Sequence, residues 1–179
     1  MAEDLPVQLH LSSEDAMRAE VIPATNADGS GIPFCKPCGG MWTSTWDQET
    51  RISGWVEWCQ GEFQTPLVEK YWHLLTPQPG IRVYTIDTYD DLTRLLGRYE
   101  RRFTGKFASL GFRQNYLDFE RLAQDYDAIH MTDDGQWATR LTYPANLYGW
   151  DCECTLWFRW CFTEVQRIEP TVTVEDMAS

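Results

Sequence analysis

The sequence predicts an α+β fold with a mainly antiparallel sheet. Strand-like runs occur along the whole chain, and the helix-like runs between them do not alternate regularly as β–α–β units. The segments YDAIHM (126–131) and QWATRLT (136–142) flank the turn-like TDDG and read as a hairpin. No G-x-G-x-x-G or phosphate-loop motif opens a helix.

The elements follow in order. VQLHLSS ends a first strand at His10. SSEDAMRAE (12–20) begins with Ser12 and has an acidic residue three positions on, which predicts a short helix. ATNADGSGIP (24–33) is a loop. GGMWTSTW (39–46), rich in Trp and Thr after a turn, predicts a strand. ISGWVEWCQGEF (52–63) predicts a helix capped by Ser53, with Trp55, Trp58 and Cys59 on one face. IRVYTID (81–87) is a β-branched run after a Pro-Gly turn. TYDDLTRLLGRYERRF (88–103) carries a capping box, Thr88 with Asp91, and an apolar stripe of Leu92, Leu95, Leu96, Tyr99 and Phe103. NYLDFERLAQ (115–124) predicts another helix, and DCECTLWFRWCF (151–162) a long last strand. One domain spanning 1–170 and a polar tail, 171–179, account for the 179 residues.

Composition narrows the function. With 43% hydrophobic and 14% aromatic residues, the chain has enough apolar surface for a core. A net charge of −12 argues against a generic grip on nucleic-acid backbone, which needs clustered Lys and Arg. No apolar run is long enough to span a membrane. The start, MAEDLPVQLH, lacks the basic and apolar regions of a signal peptide, so the six cysteines are expected reduced and the protein cytoplasmic. The nine tryptophans suit a bulky core or an aromatic-walled cleft.

The stretch LYGWDCECTLWFRW (147–160) places two carboxylates among aromatics and thiols. On a strand, Asp151, Glu153, Thr155 and Trp157 share one face, and Cys152, Cys154, Leu156 and Phe158 the other. The second face reads as core and the first as the wall of a cleft. The competing reading is a structural zinc held by Cys35, Cys38, Cys152 and Cys154, since FCKPCGG has C-x-x-C spacing. C-x-C on a strand sets its thiols roughly 7 Å apart, wide for one tetrahedral ion, and no second C-x-x-C exists. His10, His73 and His130 form no pair at ligand spacing, so no metal is expected. In GGMWTSTW, Trp42, Ser44 and Trp46 share one face and Thr43 and Thr45 the other, while Gly39 and Gly40 permit a tight turn or close approach of a ligand.

The order of His10, the WTST strand (42–45), a Trp-bearing helix and a late Glu153 resembles the ADP-ribosyltransferase superfamily. YDAIHMTD also resembles the strand preceding the Glu strand in that superfamily. The resemblance implies a split, strongly bent sheet that clamps NAD as substrate. It implies catalytic roles for Glu153, Ser44 and His10, with Lys36 or Arg18 as alternative cations. Cofactor contacts would come from Gly40, Trp42, Thr43, Thr45 and Trp46. Partners would be NAD and an acceptor the sequence does not name. The alternative is a non-catalytic interaction protein with an aromatic groove, with or without a four-cysteine zinc. Convergence of His10, Ser44 and Glu153 in one cleft discriminates between these readings.

Overall fold

A computed structural model describes residues 4–27, 35–62, 67–101 and 115–172. The first half contains strands β1 (Gln8–Ser12), β2 (Thr25–Asn26), β3 (Pro37–Cys38), β4 (Met41–Asp47) and β5 (Ile52–Ser53), helix α1 (Gly54–Gly61), and strands β6 (Tyr71–Pro77) and β7 (Val83–Ile86). The second half contains α2 (Tyr89–Tyr99), β8 (Glu100–Arg101), β9 (Tyr116–Leu117), α3 (Phe119–Asp125), β10 (Ala128–Met131), α4 (Asp133–Thr139), β11 (Cys154–Trp157) and β12 (Phe162–Ile168).

The main sheet runs β12-β6-β1-β4-β11-β10-β7, with β5 paired to β4. Its pairings are antiparallel except that of β10 with β7. The fold is therefore mixed α and β with a mostly antiparallel sheet. β4 changes partners along its length. β11 pairs with Met41 to Thr43, and β1 with Ser44 and Thr45. The flanks of this strand pack into separate cores. Trp42 packs against a cluster that includes Leu95, Phe119, Trp150 and Leu156. Trp46 enters a second with Leu9, Val56, Cys59 and Trp72. Met41, on the opposite face, joins a third with Leu75, Trp157 and Phe162.

Local chemistry explains most helix starts. Thr88 and Asp91 form the expected capping box of α2, whose buried residues are Leu92, Leu95, Leu96 and Tyr99. Phe103 lies outside the described residues, as does most of the loop expected at 24–33, whose Thr25 and Asn26 form β2. Ser53 caps α1 as expected, accepting from the Val56 N–H at 3.4 Å. Its buried side chains are Val56 and Cys59, while Trp55 and Trp58 stack on each other at 5.0 Å in a half-buried position. Asp118 caps α3, and Tyr116 and Leu117 pair with β8 instead of extending that helix backwards.

Three expectations need correction. Residues 13–20 are not helical. Ser12 pairs with Tyr71 in the sheet, and its hydroxyl accepts from the Glu14 N–H at 2.9 Å, a local turn that competes with helix formation. TDDG is not a hairpin turn. Thr132 caps α4 through the Gly135 N–H at 3.0 Å, and Asp133 and Asp134 occupy the first turn, where the helix dipole favours acids. The last strand is not continuous over 151–162. β11 covers Cys154–Trp157, all four residues buried, and the chain then turns back to form β12 at the far edge of the sheet. Among the described residues no helix is long and apolar enough to cross a membrane.

Candidate functional site

A cavity of about 600 Å³ opens where β1 parts from β4. Its walls include His10, Trp42, Ser44, Trp55, Trp150 and Lys36, and residues of the segment 14–22 form another wall. Gly40 also lines it. The Gly39–Gly40 pair has φ values of 77° and 72°, which glycine adopts without strain. A Cβ on Gly40 would press on the Leu156 side chain, and the Gly40 N–H donates to the Ile22 carbonyl at 2.8 Å. This turn therefore ties the Ile22 end of that segment beside β4.

Two side chains replace strand partners that β4 lacks at the junction. On the β1 side, His10 Nδ1 lies 2.8 Å from the Trp42 carbonyl oxygen. The ring therefore carries its proton on Nδ1 when it donates there, leaving Nε2 for a ligand. Burial lowers the His10 pKa, with His73 adding to the effect and the Trp42 hydrogen bond opposing it, so the ring is neutral at neutral pH. On the β11 side the Thr45 N–H donates to Glu153 Oε2 at 2.8 Å, and the Thr45 hydroxyl donates to Oε1 at 2.8 Å. Both devices satisfy backbone groups that would otherwise be unpaired in the interior.

Glu153 is buried, at 8% exposure. Burial pushes its pKa up, and hydrogen bonds from the Thr45 backbone, the Thr45 hydroxyl and Ser44 pull against that without cancelling it. The Ser44 oxygen in turn accepts from the Trp55 N–H at 3.1 Å, in the first turn of α1. A run of buried polar contacts extends from the same carboxylate. Trp157 Nε1 donates to the Thr43 hydroxyl at 2.8 Å, and Thr43 donates to Gln8 Oε1 at 2.7 Å. Gln8 Nε2 donates to the Thr45 hydroxyl at 3.2 Å, and that hydroxyl ends the run on Glu153.

The sequence-predicted residues are thus divided between cavity and support. His10, Gly40, Trp42, Thr43 and Ser44 line the cavity. Thr45 and Glu153 are not part of its lining and are held to each other, so of the expected convergence of His10, Ser44 and Glu153 only His10 and Ser44 share the cavity, with Ser44 also touching the carboxylate. Trp46 is in the second core, 6.3 Å edge-on from Trp72. The expected pleat is corrected at its start. Cys152 and Cys154 line the cavity, as does Asp151, whereas Glu153 turns inward to the free Thr45 N–H. The reason is that pairing in β11 begins only at Cys154, so strict alternation does not govern 151–153.

Among the described residues no three or more His, Cys, Asp and Glu side chains gather where they could hold an ion. Cys35 and Cys154 pack in the first core, and burial raises both thiol pKa values, as it does that of Cys152. These thiols stay protonated and act as small apolar groups.

Sequence reasoning missed Trp150 and His130 as parts of this region. Trp150 meets Trp42 edge-on at 4.7 Å and donates from Nε1 to the Cys35 carbonyl at 2.7 Å. Lys36, at the mouth, pairs with Asp151 at 3.3 Å and lies 5.7 Å from the centre of the Trp42 ring. His130 Nδ1 is 3.0 Å from the Thr155 hydroxyl and 3.4 Å from Glu153 Oε1. No local motif announces these contacts, because Trp150 and His130 reach the site from separate elements. Comparison with protein-family models, curated proteins and solved structures finds no match.

Proposed function

We propose that this chain cleaves NAD at the nicotinamide–ribose bond and transfers ADP-ribose to an acceptor. The observation that carries the reading is the arrangement about β4: one strand holds His10 through Trp42 on one side and Glu153 through Thr45 on the other, beside a cavity of about 600 Å³. β1, which bears His10, and β4, which bears WTST, are neighbours in the sheet, and β11, which begins at Cys154 just after Glu153, lies on the other side of β4.

In this reading the bond from ribose C1′ to the nicotinamide nitrogen breaks, and its electron pair leaves with nicotinamide. Positive charge develops on the ribose, and the Glu153 carboxylate stabilises it electrostatically and accepts from the 2′-hydroxyl. The nucleophile of the acceptor then bonds to C1′ and passes its proton to solvent water. Ser44 braces the carboxylate, His10 offers Nε2 to the adenosine ribose, and Lys36 meets the pyrophosphate. Trp42 supplies an aromatic face for nicotinamide. For this chemistry Glu153 exchanges a Thr45 contact for the substrate. Its chain neighbours Cys152 and Cys154 line the cavity that the carboxylate has to reach.

The test is release of nicotinamide, and of labelled ADP-ribosyl product, from labelled NAD mixed with the protein and a lysate. Wild type should release nicotinamide, and Glu153→Gln should lower the rate at least about 100-fold while still folding. No release by the wild type, or equal release by the variant, would overturn the proposal. A second reading is favoured by one observation: both oxygens of Glu153 are engaged by protein donors. A binding module that uses the aromatic cavity and keeps Glu153 as a structural acceptor fits that fact. It predicts NAD binding or none, without turnover.

A further inference from the structure

We infer that His130 is a positioning residue for Glu153, donating from Nδ1 to Oε1 and holding the carboxylate against Thr45. The inference rests on the transferase reading only for its consequence in catalysis. β10 and β11 pair in register with His130 opposite Thr155, which sets the ring on the same face as Thr155 and beside Glu153. Nδ1 is within 3.0 Å of the Thr155 hydroxyl and 3.4 Å of Glu153 Oε1. Both side chains are nearly buried, at 12% and 11% exposure, so water competes little for these contacts.

The geometry constrains the tautomer. With Glu153 ionised, a lone pair on Nδ1 would face a carboxylate oxygen and repel it. A proton on Nδ1 instead meets the Thr155 hydroxyl oxygen at 3.0 Å, with Glu153 Oε1 the longer second contact at 3.4 Å. The Thr45 hydroxyl on β4 donates to the same Oε1 at 2.8 Å, and His130 on β10 approaches it at 3.4 Å. Burial lowers the His130 pKa, with Asp133 at the start of α4 and Asp87 after β7 opposing it. The ring is therefore neutral at neutral pH, and its contact with Glu153 is not an ion pair. Asp133 also acts on Glu153, in the direction that raises its pKa.

The consequence is that removing the Nδ1 donor makes Glu153 harder to ionise and leaves it free to leave Thr45. The test uses the full chain without NAD. Glu153 is titrated by carboxyl carbon NMR, assigned by loss of its signal in Glu153→Gln. His130→Asn keeps an N–H near the Nδ1 position, and its midpoint should match the wild type. His130→Leu removes the donor, and His130→Gln moves it to the Nε2 position. Both should shift the Glu153 midpoint upward by about one pH unit. The acid limb of nicotinamide release should move upward with it, and Asn should restore the limb. If Leu does not fold, Gln against Asn carries the same contrast. Identical midpoints in wild type, Asn and Gln would overturn the inference. A shifted midpoint with no NAD cleavage by any variant would leave the positioning role intact and remove the transferase reading. Cleavage with unmoved midpoints would do the reverse.

Discussion

At Glu153, burial and hydrogen bonding act in opposite directions, and their balance makes a stability prediction separate from catalysis. The folded pKa lies above the ordinary value of 4.5. The protonated form is therefore the better accommodated one. The linked stability is complete below 4.5 and is lost as pH rises through the folded value. Glu153→Gln keeps the shape and an acceptor for the Thr45 N–H, and has no charge to lose. Its melting temperature relative to wild type should rise between pH 4.5 and neutrality. Glu153→Ala leaves the buried Thr45 N–H unpaired and should cost about 1–3 kcal/mol in urea denaturation at neutral pH. A falling melting-temperature difference for Gln with rising pH would contradict the burial argument.

At the scale of elements, α4 decides how the strand pair β7/β10 is covered. Thr132 follows β10 directly and caps the helix, so Gly135 passes directly over the carbonyl of Ile86. A methyl group at 135 would overlap that backbone oxygen, and backbone cannot yield as a side-chain end does. Intrinsic propensity favours Ala over Gly in a helix by about 1 kcal/mol. The packing argument predicts the opposite sign: Gly135→Ala should destabilise by about 1–3 kcal/mol by thermal or urea unfolding. A stabilised variant would mean that α4 stands further from β7 than described.

Across the whole molecule, Asp127 joins segments that enter and leave the β7-β10-β11 half of the sheet. It contacts Arg82, just before β7, at 3.0 Å, and Arg159, just after β11, at 3.0 Å. Burial tends to raise its pKa, but the Arg82 hydrogen bonds and the two guanidinium charges outweigh this, so the net shift is downward. A depressed folded pKa contributes stability above the unfolded value of 3.8, lost as pH falls through the folded value. Both arginines are about half exposed, so solvent screens the pair. Asp127→Asn should cost about 1–2 kcal/mol at neutral pH, and the difference from wild type should disappear in acid. A difference that persists to the lowest pH at which the protein folds would assign the cost to hydrogen bonding alone. With a net charge of −12, the chain as a whole gains from acid neutralisation, so the comparison is made between variants and not on wild type alone.

The sequence by itself determined the mixed α and β class, the WTST strand, and the helices after Ser53 and Thr88. In each of these, capping chemistry and apolar period lie within a few residues. It also marked Glu153 as unusual. The same local signals misled at Ser12 and at Thr132. A Ser or Thr followed by acids fits a cap, a turn or a loop, and only the surrounding sheet selects among them. Only the tertiary structure decided where β11 begins, and with it that Glu153 faces the Thr45 N–H while the thiols line the cavity. It alone brought Trp150 and His130 to the site. These choices depend on which backbone groups of β4 remain unpaired once β1 and β11 part from it, a property of three strands together that no single stretch of chain encodes.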